Sequence, residues 1–244
     1  MGKLSQRLLH LAELVSYPVL ADIGTDHGYL PIYLLQTGRI QRAFAMDINK
    51  GPLLAAKEHC YACGLGDYIT LRLSDGLERL EPREADSILI AGMGADVMLH
   101  ILKAGEEVAF AAKELILQPQ SNIQKVREYL YQKGCFIDRE DMVFEDGKYY
   151  PMMRAAMGSH NKRKYTKEEW QIIYRYGECL LESGNDVLRQ YLCWKIRQYE
   201  TIQNTLKEKC RSETAEIRAK EVEMECFYAK KALEWTGQRR KGVV

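Results

Sequence analysis

Apolar residues at Leu4, Leu8, Leu11 and Val15 recur every three or four positions, the spacing of one face of an amphipathic helix. A short apolar run, Val19-Leu20-Ala21-Asp22-Ile23, then reads as a strand and breaks at Gly24. From there the two periodicities alternate. Strands are predicted at residues 43–46, 69–73, 87–91 and 115–117, and helices at residues 53–63, 97–108 and 123–132. Two further strands, residues 135–144 and 149–156, flank Asp146-Gly147, a hairpin turn pair. Strands separated by helices of about ten residues predict a mixed, mostly parallel sheet with helices on both faces, ending in an antiparallel hairpin.

The pattern changes after Gly158. Residues 159–166 are polar and basic, which predicts a linker and a boundary between domains at 1–158 and 159–244. Beyond it no strand signal remains. Leu188, Leu192, Lys195, Tyr199, Ile202 and Leu206 form one heptad run, and Ala215, Ala219, Val222, Cys226, Ala229 and Leu233 form another. Arg211-Ser212 lies between them, with Ser212 placed to cap the second helix. Two runs of similar length joined by so short a turn predict an all-α antiparallel coiled-coil hairpin.

Composition narrows the class. With 244 residues, 46% of them hydrophobic, the chain can bury a sizeable core. No run approaches the ~20 apolar residues of a membrane span, and the first residues lack a signal-peptide apolar region. Seven cysteines without regular spacing fit reduced thiols, so the expectation is a cytoplasmic protein with no membrane association. The net charge of +1 conceals an asymmetry: residues 159–244 carry 18 Lys+Arg against 13 Asp+Glu, and residues 1–158 carry 17 against 21. A basic helical tail on an acidic domain suits an anionic partner.

Candidate chemistry gathers where strands end. Asp22-Ile23-Gly24-Thr25-Asp26-His27-Gly28 places a carboxylate at a strand end and small residues in a tight turn, where a cofactor can approach the backbone. A dinucleotide fingerprint would put its second glycine at position 26. Asp26 stands there instead and would repel a diphosphate, whereas the sulfonium and ammonium of S-adenosylmethionine are cationic. Asp47, ending the second strand, can accept both ribose hydroxyls. Ser74-Asp75-Gly76 ends the third strand, with Asp75 placed to accept from an adenine amine and Gly76 leaving space. Ala91-Gly92-Met93-Gly94 opens the floor where methyl donor meets acceptor, and Gln118-Pro119 ends the fifth strand with an amide available to a substrate base. Singly, Asp75 fits a helix cap, Met93 a packing residue and His27 a structural hydrogen-bonder; as an ordered set on one rim they fit a ligand site.

Other features are poorer. Cys60-Tyr61-Ala62-Cys63 beside His59 has metal-like spacing, but no second ligand pair follows, so no metal is expected. No phosphate loop occurs. The clusters Lys162-Arg163-Lys164 and Arg239-Arg240-Lys241, with Lys3 and Arg7, can contact phosphates.

The runs at residues 22–31, Ala45-Met46-Asp47-Ile48, Ser74-Asp75-Gly76-Leu77, Ala91-Gly92-Met93-Gly94 and Leu117-Gln118-Pro119 together resemble the bacterial tRNA (adenine-22-N1)-methyltransferase family, across roughly residues 1–158. Two positions depart from that family's pattern: Ala95 stands for its common glycine and Gln120 for its asparagine. The resemblance implies a Rossmann-like class I methyltransferase fold. It also implies S-adenosyl-L-methionine as cofactor, S-adenosyl-L-homocysteine as product and N1 of an adenine in the D-arm region of tRNA as acceptor. Cofactor contacts would run along Asp22, Gly24 to Tyr29, Asp47, Ile48, Ser74 to Gly76 and Ala91 to Gly94. Substrate contacts would involve Gln118, Pro119 and Lys162 to Lys164. Separately, a monomer with no protein partner is expected. Adenine N1 has a free lone pair, so direct attack on the methyl needs no covalent intermediate. Asp26 either stabilises the positive charge developing on the base or holds the cofactor's methionine end. The rival functions are methylation of a small molecule or protein, and a non-catalytic RNA-binding adaptor keeping the fold.

Overall fold

The computed structural model describes residues 4–158, 164–209 and 213–238, in two compact units, 1–162 and 163–244. The first unit is built on seven strands: β1 (Val19–Ile23), β2 (Arg42–Asp47), β3 (Ile69–Leu73), β4 (Ser87–Met93), β5 (Glu114–Pro119), β6 (Cys135–Glu145) and β7 (Lys148–Met157). They lie in the order β3-β2-β1-β4-β5-β7-β6. The first five are parallel, and β7 pairs antiparallel with both β5 and β6. This is the Rossmann-like arrangement expected, hairpin included. The strand order reverses between β1 and β4, the crevice in which such sheets bind ligands.

Six helices cover the sheet: α1 (Gln6–Leu14), α2 (Tyr29–Gln36), α3 (Lys50–Ala62), α4 (Ala95–Ala104), α5 (Glu106–Ala111) and α6 (Ile123–Gln132). The central strands are buried on both faces, which is why they read as continuous apolar runs. Ala21, Ile23, Ile88, Ile90, Leu115 and Leu117 enter one core layer, and Leu20, Leu89 and Ile116 the other. The single helix expected over residues 97–108 is broken at Gly105. A Cβ there would lie 2.5 Å from the Cβ of Leu77, so the glycine permits a close approach that ends α4.

An ion pair fastens α6 to β6: Arg127 Nε donates to Glu140 Oε1 at 2.8 Å, both side chains being excluded from water. Removing one partner leaves a buried uncompensated charge, so Glu140→Ala should cost about 3–5 kcal/mol. Urea unfolding of the whole chain measures this, and an unchanged midpoint would contradict it.

The second unit holds α7 (Lys167–Tyr176), α8 (Glu178–Ser183), α9 (Asp186–Lys209) and α10 (Glu213–Gln238). Thr166 and Glu169 cap the start of α7 reciprocally, through bonds of 3.2 and 2.7 Å. The two long helices run antiparallel, tied by Arg189 to Thr236 at 3.2 Å and Lys230 to Glu200 at 2.8 Å. The heptad seam closes only in part. Leu188, Leu192, Val222, Cys226 and Ala229 are buried, but Ile202 is exposed. The remaining burial comes from α7 and α8, whose Ile172, Ile173, Tyr176, Leu180 and Leu181 are all buried. Lys195, a seam position, is half-buried among the rings of Tyr191, Trp194 and Tyr199, and burial lowers its pKa. Ser212 and the Ala215 side chain lie outside the described residues.

Candidate functional site

The chain leaves β1 at Asp22-Ile23 and turns within five residues. Gly24, Asp26 and Gly28 all have positive φ, of 74°, 53° and 71°. The backbone N–H groups of Gly24 and Thr25 both donate to Met46 O, at 2.8 and 3.0 Å, tying the turn to β2. Thr25 Oγ1 donates to Asp22 Oδ2 at 2.7 Å and fixes that buried carboxylate. Opposite, β4 ends in a bulge between Ala91 and Met93. Met93 Cε lies over Gly24, 2.3 Å from where a Cβ would stand, and the φ of 74° there is one that glycine adopts without strain.

A cavity of about 340 Å³ opens between these loops, within the ~300–1,000 Å³ range of small-ligand sites. Nine sequence-predicted residues line it: Asp22, Gly24, Thr25, Asp26, His27, Tyr29, Ala91, Gly92 and Met93. Its charge is uneven. Burial, chiefly, pushes the Asp22 carboxyl up to about 6; the Thr25 bond opposes this, and the carboxylates of Asp47 and Asp26 add to it. Asp26 is exposed at the mouth, with His27 Nε2 3.4 Å from its Oδ1. The rings of His27, Tyr29 and His59 cluster in a triangle, with centroids 5.4 Å apart for His27–Tyr29, 5.1 Å for Tyr29–His59 and 5.8 Å for His27–His59. A diphosphate would face two carboxylates here, whereas a cationic ligand is favoured.

The other predicted residues lie elsewhere on the same rim. Asp47 ends β2 and Ile48 follows it, beside Ser74, Asp75 and Gly76 after β3, since Asp47 pairs with Leu73 in register. Asp47 Oδ1 accepts from Asn49 N at 2.8 Å, and Ile48 is exposed. Ser74 is buried and closes its own loop, donating to Gly76 O and accepting from Arg79 N. Asp75 and Gly76 line a small separate hollow with His100 and Ile101. Gly28 packs on Ala56 behind the turn, and Gly94 precedes α4.

Gln118 turns inward. Its side chain is wholly buried, and its Oε1 accepts from Arg7 Nη1 at 2.9 Å and Gly92 N at 3.2 Å, while Nε2 donates to Pro119 O. With its oxygen shared by Arg7 and Gly92, the amide holds the pocket wall in place. Pro119 is buried as well. Leu8, Leu30 and Leu89 line the cavity without any signal in the sequence reading; Gln120, singled out there as a departure from the family pattern, lines it too, as does Arg7, expected only as a phosphate contact. The periodicity held the signal for Arg7, which lies between Leu4 and Leu11 on the buried arc of α1. Lys162, Arg163 and Arg239 to Lys241 lie outside the described residues; Lys164 is exposed.

Among the described residues no His, Cys, Asp and Glu group is placed to hold a metal ion. Burial pushes the Cys60 thiol up to about 11, and His59 Nδ1 is taken by the His27 carbonyl at 3.0 Å.

Residues 4–153 match a methyltransferase-domain family. The Bacillus subtilis tRNA (adenine(22)-N(1))-methyltransferase is 41% identical over 160 residues, 65% of this chain and 67% of that one. The crystal structure of B. subtilis TrmK superposes with a TM-score of 0.83 and 31% identity, over 95% of this chain and 99% of the other. A Streptococcus pneumoniae relative crystallised with S-adenosyl-L-methionine superposes with a TM-score of 0.80 and 29% identity, over 95% and 100%. The chain belongs to the tRNA (adenine(22)-N(1))-methyltransferase family.

Proposed function

We propose that the chain transfers a methyl group from S-adenosyl-L-methionine to N1 of an adenine in tRNA, at position 22 as in the B. subtilis relative. The observation that carries this is the acidic cavity at the β1/β4 switch point, where two carboxylates face a compartment of ligand size beside the tight Gly24 turn. Those features fit S-adenosylmethionine. Close backbone approach admits its sulfur-bearing chain, the Asp22 carboxylate suits its positive charge, and Asp47 and Asp75 stand at neighbouring strand ends toward its nucleoside. When bound, that cofactor supplies an electrophilic methyl group and leaves as S-adenosyl-L-homocysteine; no metal is called for.

The protein's task is then positioning. Fixing acceptor and methyl in line is worth up to ~7–11 kcal/mol when the alignment is good. Loops after β1 and β4 supply that alignment, held by the Met46 carbonyl and by Gln118. Asp26, exposed at the mouth, accepts from the base's exocyclic amine and offsets the charge that N1 gains. Met93 and Leu89 exclude water from the floor.

In this reading residues 1–158 hold the cofactor. Residues 159–244, with net positive charge and Lys162, Arg163 and Lys164 at their start, hold the tRNA through its phosphates. The enzyme acts as a cytoplasmic monomer with no protein partner. Among the described residues no helix is long and apolar enough to cross a membrane.

The test is incubation with labelled cofactor and bulk tRNA, followed by mapping of the labelled nucleoside. We expect 1-methyladenosine in the D-arm region. Label confined to small molecules or protein overturns the acceptor, and failure to bind S-adenosylhomocysteine by calorimetry overturns the enzyme.

A further inference from the structure

The chain leaves β5 at Pro119, and the next residue, Gln120, is exposed and lines the cavity. Its backbone is pinned, because its N–H donates to the carbonyl of Met93 at the end of β4, at 2.8 Å. Its side chain lies over the β4 loop, where a Cβ on Gly92 would stand 3.8 Å from Gln120 Nε2. The amide of Gln118 is spent on Arg7 and Gly92. Among the described residues no hydrogen bond engages that of Gln120. A held backbone therefore presents a free donor and acceptor to the pocket.

The sheet sets what faces this amide. Strand β4 lies between β1 and β5, so Asp26 and Gln120 reach the cavity from opposite sides of the loop at residues 91–93. Consider an adenine over that loop with N1 toward the methyl group. One hydrogen of its exocyclic amine, beside N1, is turned to Asp26. The other hydrogen and the ring nitrogen N7 form a donor–acceptor pair along the far edge. A glutamine amide matches that pair with two parallel hydrogen bonds and leaves N1 untouched. Guanine would set its O6 against the amide oxygen, and a pyrimidine has no N7. Resting on the acceptor reading above, we propose that Gln120 reads the N6/N7 edge of the target adenine and selects that base.

The test is a double-mutant cycle between enzyme and substrate. A tRNA carrying 7-deazaadenosine at the target position lacks the N7 acceptor and keeps N1. Single-turnover methylation of this tRNA and of unmodified tRNA is measured with the wild-type chain and with Gln120→Leu. On unmodified tRNA, Gln120→Leu should be slower by about 5- to 150-fold, the range for a bidentate glutamine–adenine pair. The wild type should lose about 3- to 10-fold on the 7-deaza tRNA, the share of one hydrogen bond. Gln120→Leu has no donor left to lose, so it should methylate both tRNAs at rates within about twofold. Its S-adenosylhomocysteine binding, by calorimetry, should also stay within about twofold of wild type. A loss of that binding matching the loss of rate would assign the amide to the cofactor and overturn the proposal. So would an unchanged rate in Gln120→Leu, a wild type indifferent to N7, or a variant as sensitive to N7 as the wild type. If the wild-type chain fails to methylate unmodified tRNA, the acceptor reading itself falls; normal methylation of it with any of those four results rejects the Gln120 contact alone.

Discussion

Replacing Asp22 by Asn should stabilise the free protein above about pH 6 and weaken its hold on the cofactor. The Asp22 carboxyl is buried, and burial is the main cause lifting it from 3.8 to about 6, against the bond from Thr25 and with the help of Asp47 and Asp26. An acid whose pKa is raised by folding binds more protons in the folded than in the unfolded state between those values. Stability therefore falls as pH rises from about 4 to about 6, then stays level. At ~1.4 kcal/mol per unit the cost of ionised Asp22 is up to about 3 kcal/mol. Asparagine keeps an acceptor for Thr25 and removes that cost, so the stability difference between variant and wild type should open across this window. Cofactor binding should show the converse. A sulfonium or ammonium favours the ionised carboxylate, so wild-type affinity should climb with pH to a plateau above 6, and Asp22→Asn should lose the climb. Urea midpoints and calorimetric titrations from pH 4.5 to 8 measure both; a pH-independent difference would remove Asp22 from the binding balance.

The strand ends of this site were legible because each is a local event. A buried parallel strand is an apolar run, and the chain must turn where the run stops, so Asp22, Asp47 and Asp75 announce the rim without tertiary knowledge. What joins the rim from afar was not. Arg7 meets Gln118 across 111 residues of chain, and its membership depends on how α1 docks. Gln118 shows the complementary difficulty. Sequence places it at the end of β5, but its engagement with Arg7 and Gly92 emerges only from packing. Gly105 breaks a helix whose apolar spacing continues from Met98 and Ile101 to Ala109, and the reason for the break, Leu77, lies 28 residues earlier. In the second unit the heptads located α9 and α10. They did not show that α7 and α8 share in covering the apolar face of α10.

Asp26→Asn should lower kcat by about 10²- to 10³-fold, the loss seen when one preorganised charge-stabilising group is removed. Asp26 sits at φ 53° without being glycine, in a conformation that asparagine also tolerates, so the substitution preserves the turn. Its carboxylate is exposed at the cavity mouth beside His27, not buried like that of Asp22. A strained backbone that presents an exposed carboxylate to a pocket is better explained by an incoming substrate than by stability. Methylation at N1 leaves the base cationic, and a carboxylate that accepts from the exocyclic amine gains most as that charge develops. The neutral amide can accept the same hydrogen bond but cannot offset the charge, so the loss should appear in kcat, with the dissociation constant of S-adenosylhomocysteine changing by no more than a few-fold. Single-turnover methylation of tRNA, read beside calorimetry, separates the two quantities. A dissociation constant that rises in proportion to the loss of kcat/KM would return Asp26 to holding the methionine end, and an unaltered kcat would end its part in the chemistry.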